Sequence, residues 1–360
     1  MKIAVTGMAN SGKTTIFNAL TGLNLETTVY TSLESYVHFG IVKVPDSRID
    51  TLSKIFTPKK TTYATIEYID LPGLSNHDRQ SNTVVFDMLK DADAIVLVIR
   101  AFKSDAVMHP FDHVDVIRDA EFLRSELIFG DYAFVEKRFE RMEEAAKRGK
   151  KGNSKEKELL LKCKKALEEE IPLRNLEFSE EEQLTMRPLQ FLTTKPEIMA
   201  VNINEESLSN GYSTKIQQEI QIRLPDTPVI VFCAKLEMEI AQLPREESRE
   251  FINAMGIEES ALSKLIRMSY NLLKLISFIT VGKDEVRAWT IREHTIAQKA
   301  AGKVHSDIER GFIRAEVVSY DDLMLADGIM NAAKEAGKIR LEGKTYQVKD
   351  GDIINFRFHV

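Results

Sequence analysis

Eight residues near the N-terminus have the types and the spacing of a phosphate-binding loop. Positions 7–14 read Gly-Met-Ala-Asn-Ser-Gly-Lys-Thr, between an apolar run at 3–5 that predicts a buried strand and a stretch from 15 onward that predicts a helix. The two glycines let the backbone curl so that successive N–H groups point at a phosphate, and the helix N-terminus adds its positive dipole end. The pattern in this context predicts a nucleotide-binding site.

Two side chains of this loop are expected to act directly on the phosphates and on a metal ion. Lys13 would reach the outer phosphates, and the Thr14 hydroxyl would hold Mg²⁺. The predicted nucleotide contacts in and just after the loop are Asn10, Ser11, Gly12, Lys13, Thr14 and Thr15.

An Asp-Leu-Pro-Gly segment, which follows a predicted strand at 63–69, supplies the second half of this site. Asp70 at the strand tip would complete the Mg²⁺ site through a water molecule, and the Gly73 N–H could bond the γ-phosphate because no side chain blocks its approach. Many switch GTPases place a Gln after this glycine to orient the attacking water. Leu74 stands there instead, so either another residue orients the water or hydrolysis is slow.

The segment 23–36, rich in Thr and Ser, lies where P-loop switch proteins carry a hydroxyl that senses Mg²⁺ and the γ-phosphate. Thr31 and Ser32 are the candidates, and Ser32 is taken as the predicted metal ligand. Thr27 and Thr28 compete for the same role, and a plain polar loop is the alternative.

A second loop, at 101–113, offers a group that could position the water. It contains His109 and His113, and an imidazole in a loop near the phosphates could replace the missing Gln. A surface or packing histidine is the alternative explanation at either position.

Two further strand ends lie where a doubly wound sheet binds the base of a nucleotide. In GTPases the first reads Asn-Lys-x-Asp, and the Asp accepts hydrogens from guanine N1 and N2. Here Ile203 replaces the Lys and Glu205 replaces the Asp, which weakens guanine recognition, whereas Asn202 and nearby backbone groups could still bind adenine through N6 and N7. The second strand end contributes Cys233, Ala234 and Lys235.

Alternating strand and helix patterns predict an α/β fold with a doubly wound, mostly parallel sheet. The near-continuous apolar run at 94–100 is typical of a parallel strand that is covered on both faces. The last 80 residues or so predict a small α+β domain. Its strands are predicted at 286–291, 312–318, 344–348 and 353–358, and its helices at 296–308 and 323–336. A closing helix is predicted at 262–276, before this domain.

Residues 116–170 are dense in Glu, Lys, Arg, Leu and Ala, and 148–154 interrupt this pattern. The pattern predicts an inserted helical hairpin, similar to a coiled coil. Its tip, between Lys147 and Lys157, could contact nucleic-acid phosphates, although a charge run is usually a solvated loop.

Composition indicates which partners and which cellular compartment are expected for the protein. The net charge of −6 gives no overall sign of nucleic-acid affinity, so any such contact needs a local patch. The two cysteines, Cys163 and Cys233, have no metal-ligand spacing and fit a reducing compartment. The sequence shows neither a signal peptide nor an apolar run long enough to span a bilayer. A cytoplasmic protein without membrane contact is expected.

With these motifs, the whole chain resembles the YchF, or Obg-like ATPase, family of Obg-related P-loop GTPases. Segments at 285–291, 300–305, 334–338 and 348–352 resemble the family's TGS domain, a β-grasp module. The resemblance implies three domains. These are a nucleotide-binding domain at 1–115 and 186–277, the inserted hairpin at 116–185, and the TGS domain at 278–360.

The resemblance also implies a function: Mg²⁺-dependent ATP binding, ATP preferred over GTP, slow hydrolysis, and association with ribosomes in translation or stress response. The family's Asn-x-x-Glu falls on Asn202 and Glu205, and its catalytic His falls on His109. Lys13, assigned from the phosphate-binding loop, is the second predicted catalytic residue. Both switch segments depart from the family pattern, since 75–85 lacks glycine and only 32–34 resembles the first switch. An Obg-type GTPase, or a nucleotide-binding scaffold with little hydrolysis, is the alternative.

Overall fold

The computed structural model describes residues 1–25, 37–104, 107–149, 153–208, 211–255 and 259–359. The chain forms two compact units. Unit 1 comprises Met1–Gly40 and Glu67–Leu262, and unit 2 comprises Ile41–Ile66 and Ser263–Val360. The division into three domains stays a prediction, and it differs from the two units in placing residues 41–66 with the nucleotide-binding part.

Strands and helices of the described residues are named in chain order. The strands are β1 (Lys2–Gly7), β2 (His38–Lys43), β3 (Lys60–Thr62), β4 (Thr65–Asp70), β5 (Ala94–Arg100), β6 (Glu197–Asn202), β7 (Val229–Phe232), β8 (Leu275–Val281), β9 (Glu285–Arg292), β10 (Phe312–Ser319), β11 (Arg340–Glu342) and β12 (Asp352–Phe358). The helices are α1 (Lys13–Thr21), α2 (Ser47–Phe56), α3 (Arg79–Leu89), α4 (Val116–Lys147), α5 (Ser154–Glu168), α6 (Glu180–Met186), α7 (Tyr212–Arg223), α8 (Ala234–Gln242), α9 (Arg245–Ala254), α10 (Ala261–Leu272), α11 (Ala297–Val304), α12 (Ser306–Arg310), α13 (Tyr320–Leu325) and α14 (Met330–Glu335).

One six-stranded sheet has the order β2-β4-β1-β5-β6-β7. The pairs of β1 with β4 and β5, and of β6 with β5 and β7, are all parallel. Every residue of β5 is buried, as expected of a parallel strand covered on both faces. The predicted α/β class with a doubly wound, mostly parallel sheet is confirmed. The carboxyl ends of β1, β4, β5, β6 and β7 share one edge, where such sheets bind ligands.

A long hairpin of α4 and α5 is inserted between β5 and β6. Asp115 caps α4 by accepting a hydrogen bond from the Arg118 N–H, and Asn153 caps α5 in the same way. The hairpin has its own apolar cluster, in which α4 contributes Ile128 and Val135 and α5 contributes Leu159, Leu160, Cys163, Ala166 and Leu167. The predicted hairpin is confirmed. Residues 150–152 of its tip lie outside the described residues.

Unit 2 contains a mixed six-stranded sheet of order β11-β10-β12-β8-β9-β3. β10 is antiparallel to β11 and β12, β8 is antiparallel to β9, and β12 is parallel to β8. Ala297, Ala300 and Ala301 of α11 pack in one apolar cluster with Phe278 and Phe356 of the sheet. The small side chains let the helix lie close to the strands.

Residues 41–66 join unit 2 through strand pairing and one arginine. β3 pairs in parallel with β9, from Lys60 opposite Glu285 to Thr62 opposite Arg287. The Arg48 guanidinium donates to the Asp46 carboxylate at 2.9 Å and to the Asp350 carboxylate at 2.8 Å.

Four predictions for unit 2 were wrong in detail. The helix predicted at 296–308 is divided into α11 and α12 by His305, whose backbone is extended (φ −162°). The helix predicted at 262–276 ends at Leu272, because Lys274 turns into the left-handed region (φ 50°) and β8 begins at Leu275. The strand predicted at 344–348 is replaced by β11. The helix predicted at 323–336 is divided into α13 and α14 by Gly328, whose φ of 75° cannot continue a helix.

In the part of the chain that the structure describes, no helix combines the length and the apolar character needed to cross a bilayer.

Candidate nucleotide-binding site

Lys13 lies buried at the first position of α1, directly after the phosphate-binding loop. Its Nζ donates to the Met8 carbonyl oxygen at 2.7 Å. Burial lowers the pKa of Lys13 to about 8, while the attraction of Asp70 acts in the opposite direction. A desolvated ammonium beside the N-terminus of α1 is well placed to bind an anion.

Thr14 and Asp70 form a pair at the same edge of the sheet. The Thr14 hydroxyl donates to Asp70 Oδ2 at 2.9 Å, and His38 Nδ1 lies 3.9 Å from the same oxygen. Burial raises the pKa of Asp70, although Thr14, Lys13 and His38 favour its ionised form. Asp70 Oδ1 is buried without a hydrogen-bond partner among the described residues. A hydroxyl beside an orphaned carboxylate oxygen is a pair of hard oxygen donors, which fits Mg²⁺.

Gly73 lies directly against the phosphate-binding loop. A Cβ atom added to it would lie 2.9 Å from each of three atoms: the Gly7 carbonyl oxygen, the Ala9 nitrogen and Lys13 Nζ. The Leu74 N–H donates to the Gly7 carbonyl oxygen at 2.8 Å, and the Leu74 side chain is buried in the core. Position 73 therefore has no room for a side chain, and Leu74 cannot contact a water molecule in the site.

Asn202 connects the two loops at this edge. Its Nδ2 donates to the Ser11 carbonyl oxygen at 3.1 Å, and its Oδ1 accepts from the Ala234 N–H at 3.0 Å. A Cβ atom added to Gly12, whose φ is 93°, would lie 2.3 Å from Asn202 Nδ2. The sequence predicted a direct contact of Asn202 with adenine, whereas its amide already holds the phosphate-binding loop to the start of α8 and keeps one N–H free of these bonds.

The remaining residues predicted to contact the base differ in exposure. Ile203 is buried in the apolar core of unit 1, whereas Glu205 and Lys235 are exposed at the strand ends. Cys233 is buried at the N-terminus of α8, and burial raises the pKa of its thiol. The structure thus brings Glu205, Cys233 and Lys235 to the expected edge and turns Ile203 into the core.

His109 is buried, and both of its ring nitrogens are engaged. Nδ1 accepts from the Phe111 N–H at 3.1 Å, which leaves Nε2 protonated to donate to Asp119 Oδ2 at 2.9 Å. Burial lowers the pKa of His109, and the nearby Asp119 only partly offsets this effect. In this conformation the imidazole has no nitrogen available for a water molecule.

Hydrogen bonds connect the segment that carries His109 to the phosphate-binding loop and to the segment after Gly73. Asn10 Nδ2 donates to the Met108 carbonyl oxygen at 3.1 Å, and Asn76 Nδ2 donates to the Pro110 carbonyl oxygen at 3.0 Å. The buried Arg100 donates to the Val107 carbonyl oxygen at 2.9 Å. Sequence reasoning missed Asn76, Arg100 and Asp119. The only available signal was that Asp119 lies 10 residues after His109, at the start of a predicted helix.

The remaining predicted residues of this site are Ser32, Thr15 and Ser11. Ser32 and its competitors Thr27, Thr28 and Thr31 lie outside the described residues. Thr15 is half-buried in the first turn of α1, and the Ser11 hydroxyl is buried without a hydrogen-bond partner among the described residues.

The chain was compared with protein families and with curated proteins. Residues 2–123 match a family described as 50S ribosome-binding GTPase, and residues 275–359 match the YchF GTPase C-terminal family, described as a protein of unknown function. The chain is 42% identical to the ribosome-binding ATPase YchF of Bacillus subtilis over 99% of this chain and 98% of that protein. It is 38% identical to the protein of the same name from Escherichia coli O157:H7, over 100% and 99%.

Among solved structures, the chain is similar to the YchF GTPase of Schizosaccharomyces pombe. The TM-score is 0.82 at 30% identity, and the match covers 99% of this chain and 97% of that one. The similarity therefore extends over both units and the hairpin.

Proposed function

Because this chain belongs to the YchF family, we propose that it is a Mg²⁺-dependent ATPase that hydrolyses ATP slowly and acts as a cytoplasmic, ribosome-associated switch. The resemblance noted in the sequence is confirmed by the full-length relatives. We retain the proposed division into a nucleotide-binding domain, an inserted hairpin and a TGS domain.

The observation that carries this proposal is the arrangement of Lys13, Thr14 and Asp70. Lys13, whose ammonium is desolvated, would neutralise the outer phosphates together with the backbone N–H groups of the loop. Thr14 Oγ1 and Asp70 Oδ1 would hold Mg²⁺. When bound, the metal ion supplies positive charge to the phosphate oxygens. Gly73 lies against this loop without a side chain, so its N–H could approach the γ-phosphate.

A preference for adenine is supported by the residues at the base-binding edge. The side chain of Glu205 is one methylene longer than that of the Asp that binds guanine in GTPases, and the side chain of Ile203 points into the core. A guanine edge would therefore lose its carboxylate partner, at a cost of about 1–3 kcal/mol, which corresponds to roughly fivefold to 150-fold in affinity. Asn202 retains one N–H that could donate to adenine N7.

Slow hydrolysis is supported by the position of His109. We propose that His109 orients the attacking water, and it can do so only after it leaves Asp119. Leu74 cannot replace it, because its side chain is buried. Hydrolysis would then wait for a rearrangement of the segment that carries His109.

The proposed ribosome partner is supported by the names of the full-length relatives. The net charge of −6 requires that RNA contacts come from a local patch, and the basic residues between Lys147 and Lys157 offer one. A pull-down with and without a non-hydrolysable ATP analogue, probed for ribosomal subunits, tests this partner. Equal absence of subunits in both samples would contradict it.

Single-turnover hydrolysis of ATP and GTP by the wild type and by His109→Ala tests the activity. We expect ATP to be hydrolysed faster than GTP and the variant to lose most of the activity. Faster GTP hydrolysis would identify an Obg-type GTPase. No measurable hydrolysis in the wild type would identify a scaffold, and equal rates in the two proteins would remove His109 from the mechanism.

A further inference from the structure

A cavity of 480 Å³ lies in unit 1 between α3 and α4, and no residue of the phosphate-binding loop lines it. Its volume is within the range of pockets that bind small molecules, about 300–1,000 Å³. Three aromatic rings, Phe86, Phe129 and Phe134, line it together with Leu189 and Leu192.

The cavity holds an excess of positive charge. Five basic residues line it, and two of them are paired: Lys90 with Asp87 at 2.7 Å and Arg138 with Glu156 at 2.7 Å. The other three make no ion pair with any described residue. These are Arg79 from α3 and Lys137 and Arg141 from α4.

The acidic residues that line the cavity are already engaged. Besides Asp87, the Glu126 carboxylate accepts a hydrogen bond from Asn82 at 2.7 Å. Asp131 is buried and accepts from the backbone N–H groups of Leu192 and Thr193, each at 2.8 Å. The three unpaired cations are therefore available for an added anion.

The aromatic side chains indicate what else the ligand carries. The Phe129 ring is 42% exposed, and the Arg79 guanidinium lies 4.7 Å from its centre. Phe134 is half-buried, with Lys90 Nζ 5.6 Å from its ring centre. Aromatic faces next to guanidinium groups suit a planar ring joined to phosphate, because arginine binds phosphate oxygens in pairs.

We propose that this cavity is a second ligand site that binds a free nucleoside phosphate, with the phosphate on Lys137 and Arg141, which lie one turn apart on α4, and the base among the three Phe rings. The binding is independent of the proposed function. A nucleotide of a single-stranded RNA has the same chemistry and is the competing source.

A regulatory effect of this ligand rests on the proposed function, and Asn82 provides the connection. Asn82 lines the cavity and is almost completely buried. Its amide donates to the Ser75 carbonyl oxygen at 2.8 Å and accepts from the Ser75 N–H at 2.7 Å, in addition to its bond to Glu126. Ser75 follows Gly73 by two residues. A ligand that separates or closes α3 and α4 would therefore move the segment that senses the γ-phosphate.

Equilibrium dialysis of the full chain tests the site. The first site is saturated with Mg²⁺ and a non-hydrolysable ATP analogue, and radiolabelled AMP or GMP is added as the probe. We expect one further equivalent of at least one probe to bind. Lys137→Gln with Arg141→Gln should weaken this binding roughly a hundredfold, about tenfold for each charged contact removed.

The matched control removes two exposed cations from α7, with Lys215→Gln and Arg223→Gln, and should bind the probe like the wild type. Unchanged affinity for the ATP analogue shows that each variant is folded and that its first site is intact. A wild type that does not bind the ATP analogue would count against the proposed function and not against the second site. No further equivalent in the wild type, or equal probe binding by the Lys137/Arg141 variant, would overturn the second site. Binding of a labelled RNA hexamer without binding of AMP or GMP would overturn the free nucleotide as its ligand.

Discussion

At the scale of single residues, the site contains a buried lysine and a buried aspartate, and burial destabilises the charged form of each. Lys13 and Asp70 both have pKa values shifted toward their neutral forms, and each favours the charged form of the other. The sequence pattern predicts that both residues belong to the site. It cannot predict this balance, because burial depends on residues far away in the chain.

Nucleotide binding should therefore take up a proton at alkaline pH. The pKa of Lys13 is about 8 in the free protein, and a bound phosphate raises it, so at pH 8.5 binding should take up roughly three-quarters of a proton. At pH 7 the uptake should be about one-tenth of a proton. Calorimetry of a non-hydrolysable ATP analogue in buffers of different ionisation enthalpy measures it. An uptake that is the same at both pH values would contradict this assignment.

The hydrogen bond between His109 and Asp119 leads to a second prediction. Asp119→Asn weakens the restraint on a neutral imidazole, so single-turnover ATP hydrolysis should become several-fold faster, because His109 leaves its buried position more easily. His109→Ala in the same background should remove the gain. If Asp119→Asn instead slows hydrolysis as much as His109→Ala does, the pair is part of the active arrangement and not a restraint.

At the scale of elements, Asn82 holds the start of α3 to the segment after Gly73 and to α4. Asn82→Ala leaves the N–H and C=O groups of Ser75 without this partner, and it should lower the free energy of unfolding by about 1–3 kcal/mol. Urea denaturation measures the change. Thr83→Ala, an exposed neighbour on the same helix, should change it by less than about 0.5 kcal/mol. Equal effects of the two substitutions would show that Asn82 has no special role.

Much of the fold could be predicted at this scale, because five strand ends carry the polar motifs. The β1, β4 and β5 patterns are strongly apolar, and their ends place Lys13, Asp70 and the His109 segment at one edge. β8 was missed because its apolar residues continue those of α10 without a Gly or Pro between them. The contacts of Asn202 within the protein were missed because an amide that binds a ligand and one that binds backbone look the same in sequence.

At the scale of the whole molecule, the chain between β2 and β4 belongs to unit 2 while the strand ends on either side belong to unit 1. No sequence pattern indicates this division. The grouping depends on pairing with β9 and on Arg48, whose partner Asp350 lies 302 positions away.

Arg48→Gln should therefore loosen unit 2 and leave unit 1 unchanged. Because solvent screens the partly exposed ion pairs, the expected loss is about 1 kcal/mol, and β9 amides should exchange roughly fivefold faster. Hydrogen exchange followed by mass spectrometry compares β9 with β1. Lys59→Gln, whose ion pair with Asp284 is exposed on both sides, should change neither strand. Faster exchange in β1 upon Arg48→Gln would show that residues 41–66 stabilise unit 1 instead.

We propose that an intact triphosphate site is joined to a base-binding edge that disfavours guanine. Displacement of a fluorescent ATP analogue by unlabelled ATP and GTP, with Mg²⁺ and with EDTA, tests it most directly. ATP should bind at least about fivefold more tightly than GTP, and EDTA should weaken both. GTP binding as tight as ATP binding, or tighter, would contradict the account.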